Sequence, residues 1–125
     1  MTNKQFDQLA GKRIAEVRKV LFQKAQTYGQ YDDRLSSFKL GAVVNTQLSN
    51  TKEHPCQNLH GIFIKPLVKY YQMIEAINKG EKIAPSLVEE VFTDLHNYLL
   101  LQEGLITELA LGEDAKPVEE VTTTV

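Results

Sequence analysis

The stretch PSLVEEVFTDLHNYLLLQEGLITEL, residues 85–109, decides the fold class. Val88, Val91, Phe92, Leu95, Leu99, Gln102, Ile106 and Leu109 recur at the three- and four-residue steps that line one face of an α-helix. Leu100, Leu101 and Leu105 widen that face, which predicts cover on more than one side, in the middle of a bundle or at an oligomer interface. Ser86 and Glu89 read as a capping box that opens the helix, with Pro85 just ahead.

Working outward from this helix, residues 112–125 lose the periodicity. Acidic residues, Pro117 and three threonines describe a flexible tail after a single helical domain over residues 1–111. Upstream, Ile62, Phe63, Leu67, Tyr70, Ile74 and Ile77 form a second amphipathic stripe that ends at Gly80. Pro66 lies inside it and removes the bond to the carbonyl of Ile62, so a start or a kink is expected at that turn. Residues 45–56, rich in Asn, Thr, Ser and Lys, read as the longest internal loop. A short helix carrying Leu35, Phe38, Leu40, Ala42 and Val43 precedes that loop, with Asp32 or Asp33 as its N-cap. The chain opens with a helix over residues 5–28. Thr2 and Gln5 form its capping box, Ile14, Val17, Leu21, Ala25 and Tyr28 its stripe, and Gly29 its C-terminal cap. With no alternating strand pattern, the expectation is an all-α bundle of three to four helices.

Composition narrows the function. Fourteen basic against sixteen acidic side chains, a net charge of −2, do not supply the basic surface of a nonspecific nucleic-acid binder. One cysteine, Cys56, cannot form an intramolecular disulfide, which points to a reducing compartment. No apolar run is long enough to span a bilayer, and the first residues lack the apolar stretch of a signal peptide. A cytoplasmic protein without membrane contact is expected.

Two clusters carry candidate chemistry. Glu90 and Asp94, four residues apart, sit one turn apart on one helix face and can turn their carboxylates to a single hard cation such as Mg²⁺. Acid pairs at this spacing are also common on solvated faces, and two ligands alone hold Mg²⁺ poorly. His54, Cys56 and His60 are the second cluster, but three residues do not close a zinc site, and the remaining histidine, His96, lies on another helix. His60 with Lys65 and Lys69 could receive an anion at a helix N-terminus, or simply form a solvated basic face. No glycine-rich phosphate loop, nucleophile elbow or dinucleotide fingerprint is present.

The order of motifs adds a resemblance. Lys24-Ala25-Gln26-Thr27-Tyr28-Gly29, then Arg34 to Phe38 and Lys39, then Glu90-x-x-x-Asp94-x-x-Asn97-Tyr98 follow one another along the chain. The series resembles the MazG-like, all-α nucleoside triphosphate pyrophosphohydrolases, and within them the small phage and bacterial branch known as a nucleotide-modification-associated domain. It covers roughly residues 14–108. The resemblance implies Mg²⁺-dependent, or Mn²⁺-dependent, cleavage of a (deoxy)nucleoside triphosphate to monophosphate and pyrophosphate, in the host cytoplasm if the protein is phage-encoded. It makes Glu90 and Asp94 catalytic metal ligands, and Lys24, Arg34 and Lys39 phosphate neighbours. Asn97 belongs to the same motif, and Tyr28 and Tyr98 either face a base or fill the core.

The wider group also carries a second acidic pair, E-x-x-E, on an earlier helix. Here only single acids stand there, Glu16 on the first helix and Glu75 on the third, and these are the candidates to complete the metal shell. The missing pair keeps open a second reading, a nonhydrolytic protein that sequesters a nucleotide or nucleotide-derived signal through Lys24, Arg34, Lys65 and Lys69. A third is a helical adaptor that binds protein through residues 45–56. The run from Leu99 to Leu101 adds an expectation of self-association, since a short chain has little else to cover it.

Overall fold

The structure, a computed structural model, describes residues 1–27 and 35–111. They form four α-helices: α1 (Asn3–Thr27), α2 (Ser36–Ser49), α3 (Pro55–Asn78) and α4 (Pro85–Leu111). The all-α bundle expected from periodicity is the fold. Tyr28, Gly29, Asp32, Asp33, Arg34 and the tail at 112–125 lie outside the described residues.

Local chemistry sets most of the helix ends. The Thr2 amide donates to Gln5 Oε1 at 2.8 Å and the Gln5 amide to Thr2 Oγ1 at 3.1 Å, so the first capping box forms as read. At the end of α3, Gly80 takes φ 74°, the left-handed conformation that glycine adopts without a Cβ clash. This turns the Glu81 amide back to the carbonyl of Ala76 at 2.9 Å. α4 opens at Pro85, one residue before the expected Ser86. Proline suits the first turn, where its missing N–H costs nothing, and the carbonyl of Ala84 accepts from Leu87 and Val88.

One expectation fails and one loses an alternative between residues 45 and 66. The stretch 45–56 is mostly helix: α2 runs to Ser49 and α3 begins at Pro55, leaving only residues 50–54 as a connection. Polar side chains mislead there because they fold back on their own helix. Thr46 Oγ1 donates to the carbonyl of Ala42 and Ser49 Oγ to that of Asn45, each at 2.7 Å. Asn50 then ends α2 with φ 57°. Pro66 does not start α3 either. The helix begins eleven residues earlier, where the His54 amide donates to Gln57 Oε1 at 2.8 Å, and it continues through a buried Pro66. His60, Lys65 and Lys69 therefore sit inside a helix and not at an N-terminus, which removes the anion site read there.

The helices pack in a chain of neighbours, α2 on α3, α3 on α4, and α4 on α1. Phe38 of α2, Leu59 of α3 and Leu105 of α4 form the apolar core, flanked by Leu35, Cys56, Tyr98 and Leu101. Gly41 lets α2 approach α3 closely, since a Cβ there would stand 2.7 Å from the Asn58 amide atoms. Tyr70 meets Phe92 edge to face, and Gln102 donates to the carbonyl of Cys56, so the α3–α4 seam is closed along its length. α4 is thus the central helix that its apolar breadth predicts.

Candidate functional site

The Glu90, Asp94 and Tyr98 positions follow each other at four-residue steps up one face of α4, so they form a single ridge. Helices on both sides bring cations to it. From α3, Lys69 Nζ stands 3.4 Å from Glu90 Oε1. From α1, Lys24 Nζ lies 5.2 Å from the centre of the Tyr98 ring, over its face, a cation–π distance. Residues far apart in the chain thus meet at one place because α4 lies between α1 and α3.

Asp94 is the electrostatic centre of this cluster. Burial lifts its carboxyl above the usual range, the repulsion from Glu90 adds to that, and the positive charges of Lys24 and Lys69 oppose it without cancelling it. Its charged form is therefore less favoured than in water, and a cation or proton donor arriving at the site relieves that cost.

Beneath the ridge lies Asn97, fully buried, with neither Oδ1 nor Nδ2 hydrogen-bonded among the described residues. An unpaired buried amide costs roughly 1–3 kcal/mol per group. These unmet groups lie three positions after Asp94. Next to it, Arg13 of α1 donates to the Glu89 carbonyl at 3.0 Å and to Thr93 Oγ1, anchoring α1 across α4. Reading the sequence did not single out Arg13. A lone arginine on an amphipathic helix looks like any solvated charge until its target on α4 is visible.

The remaining expected residues scatter. Lys39 pairs with Glu108 at 2.7 Å, away from the ridge. Lys65 is exposed on α3, as is Glu75, while Glu16 is half-buried on α1. The charges that act on Asp94 are those of Lys24, Glu90 and Lys69, with neither Glu16 nor Glu75 among them. Among the described residues no three His, Cys, Asp or Glu side chains gather in a group able to hold a metal, the His54, Cys56 and His60 cluster included. Tyr28 and Arg34 lie outside the described residues. Tyr98 packs against the core, one of its two readings, and carries Lys24 on its ring. His96 turns its Nδ1 to the Phe92 carbonyl at 2.7 Å, on the side facing α1.

Two carboxylates one turn apart are a hard-oxygen donor set that suits Mg²⁺ or Mn²⁺ when water and phosphate oxygens complete the shell. Two such ligands fall short of an all-protein cage. No described helix is long and apolar enough to cross a membrane. Compared with protein-family models, curated proteins and solved structures, the chain matches none.

Proposed function

We propose that the ridge of Glu90, Asp94 and Tyr98 binds a (deoxy)nucleoside triphosphate and hydrolyses it, with Mg²⁺, to the monophosphate and pyrophosphate. The observation that carries this reading is the convergence on Asp94 of one further carboxylate, Glu90, and two cations, Lys24 and Lys69. A polyphosphate needs positive charge, and a divalent cation needs carboxylates; this cluster offers both within one face.

Each residue then has a task. Lys24 and Lys69 hold phosphate oxygens as mobile point charges. Glu90, released from Lys69 when phosphate takes its place, and Asp94 would hold the cation. Mg²⁺ or Mn²⁺, when bound, neutralises phosphate charge and favours attack by water. The cost that burial places on the Asp94 carboxylate is relieved when a cation binds beside it. The Tyr98 ring provides a surface for the base once Lys24 swings to phosphate, and Asn97 offers an unused donor and acceptor beneath it. Such a substrate places the protein in the cytoplasm, of a phage host if the resemblance extends to origin.

A second reading is supported by the same geometry. Only two acids converge among the described residues, and Lys69 already neutralises one of them. A protein that sequesters a nucleotide needs the cations and the ring but no complete metal shell. One experiment separates the two: incubate the protein with a nucleotide panel and Mg²⁺ or Mn²⁺, and resolve products by chromatography. Monophosphate and pyrophosphate that vanish in Asp94→Asn support hydrolysis. Intact nucleotide, bound equally by wild type, Glu90→Gln and Asp94→Asn, supports sequestration. No binding and no turnover with any nucleotide would sink both readings.

A further inference from the structure

We propose that the groove between α1 and the C-terminal half of α4 seats a second copy of this chain, related to the first by a two-fold axis. The groove measures about 880 Å³ and is lined from α1 by Ile14, Val17 and Arg18, and from α4 by Leu99, Glu103 and Ile106. Its apolar walls are half exposed: Ile14 to 50%, Leu99 to 56% and Ile106 to 53%. About a quarter-turn around α4, Val91 and Leu105 are fully enclosed. The central helix is therefore apolar around most of its circumference and covered on only part of it.

Charge selects the occupant. Arg18 stands on the α1 wall and Glu103 on the α4 wall, and neither makes an ion pair or hydrogen bond with a described residue. A two-fold axis through the groove lays the α1 of one copy along the α4 of the other. Arg18 then faces the partner's Glu103, and Glu103 faces the partner's Arg18. With Arg13 beside Arg18 the α1 wall is basic, and Glu103 makes the facing α4 wall acidic; walls of opposite sign are self-complementary, which is what an isologous interface requires. A uniformly acidic or basic partner would match one wall and oppose the other.

The lining runs from Ala10 to Arg18 on α1 and from His96 to Thr107 on α4, about 14 and 18 Å of helix, a compact patch for a protein–protein interface. An apolar centre of Ile14, Leu99 and Ile106 edged by Arg18 and Glu103 has the layout of such an interface. The inference is independent of the nucleotide reading, because Arg18 and Glu103 take no part in the Asp94 cluster.

Sedimentation velocity on the full chain, from roughly 1 to 100 µM where a standard interface associates, tests it. The expected species has twice the 14.2 kDa chain mass. Arg18→Glu and Glu103→Arg, each of which sets like charges across both contacts, should weaken the dimer by about tenfold or more. Mixing the two single variants should restore it, because both contacts then pair opposite charges. Leu99→Glu should give a monomer whose far-ultraviolet circular dichroism is unchanged, showing that the chain still folds. A full chain that stays monomeric across the range overturns the proposal. So does a dimer indifferent to all three substitutions, or one weakened by both charge reversals with no recovery on mixing.

Discussion

On its α3 side α4 meets Leu59 through Leu105, Tyr70 through Phe92 and the Cys56 carbonyl through Gln102, whereas on its α1 side the contact is carried largely by Arg13, Lys12 and Lys24. The first seam is apolar and closed; the second has Val17 as its buried apolar member and leaves a groove open beside it. Apolar closure is insensitive to small displacements and supplies stability. A seam of long charged side chains supplies less, because exposed ion pairs contribute under about 1 kcal/mol each, but those side chains can exchange partners. Asp94 lies where the two seams meet, acted on by Lys24 of α1 and Lys69 of α3. The difference teaches that one helix is held by different forces on its two neighbours, apolar burial against α3 and polar anchoring against α1.

The sharpest way to break that comparison is at the ridge. Asp94→Asn is expected to abolish measurable nucleotide turnover, because a neutral amide no longer draws the cation, while raising Tm at pH 7 instead of lowering it. The sign follows from linkage. A carboxyl raised in the folded state binds its proton more tightly there than in the unfolded chain, so its contribution to stability is complete below the unfolded value near 3.8 and is lost as pH rises through the folded one. Asparagine carries no such charge. A melting series by calorimetry over acid to neutral pH, wild type against variant, reads this directly; a variant less stable at neutral pH would show that Asp94 is a structural residue.

Next in size is the contrast between the seams themselves. Leu105→Ala, which empties a fully enclosed site, is expected to cost about 2–5 kcal/mol in urea unfolding. Ile106→Ala, its half-exposed neighbour in the groove, should cost under about 1 kcal/mol in dilute protein and more as concentration rises and the groove is covered. Equal costs at all concentrations would mean that the two sides of α4 are packed alike.

Smaller again, Asn97→Leu should stabilise the fold by about 1–3 kcal/mol, since an apolar side chain replaces an unpaired amide. The same variant should bind nucleotide more weakly in calorimetric titration, and a loss of stability would show that the amide is satisfied in solution. The smallest expected effects are at glycines. Gly61→Ala, open on its helix surface, should gain about 0.5–1 kcal/mol. Gly41→Ala, pressed against Asn58, should lose about 1 kcal/mol by overpacking unless that side chain swings clear.

How far the sequence could be read depended on the range of each interaction. The Thr2–Gln5 box and the Gly80 turn were legible because their partners lie within a few residues. The true start of α3 was not. Histidine at an N-cap is an uncommon signal, and Gln57 three residues on gives it meaning only once the helix is known to begin at Pro55. Residues 45–49 were misread because Asn, Thr and Ser favour turns in isolation, and it takes the packing of α2 on α3 to hold them helical. At the site, Glu90 and Asp94 were legible as a pair on one face from their spacing alone. Arg13 was not legible, since its acceptors lie on another helix.

By itself, then, the sequence determined that this chain is helical, roughly where its helices run, and which residues of α4 share a face with Asp94. These are consequences of a 3.6-residue period and of caps closed within one turn. Only the tertiary structure decided that Lys24 and Lys69 reach that face, that Glu16 and Glu75 are not among the charges acting on Asp94, and that α1 leaves a groove open along α4. Those outcomes depend on the angles at which helices cross, and crossing angles are fixed by side chains interlocking between segments far apart in the chain.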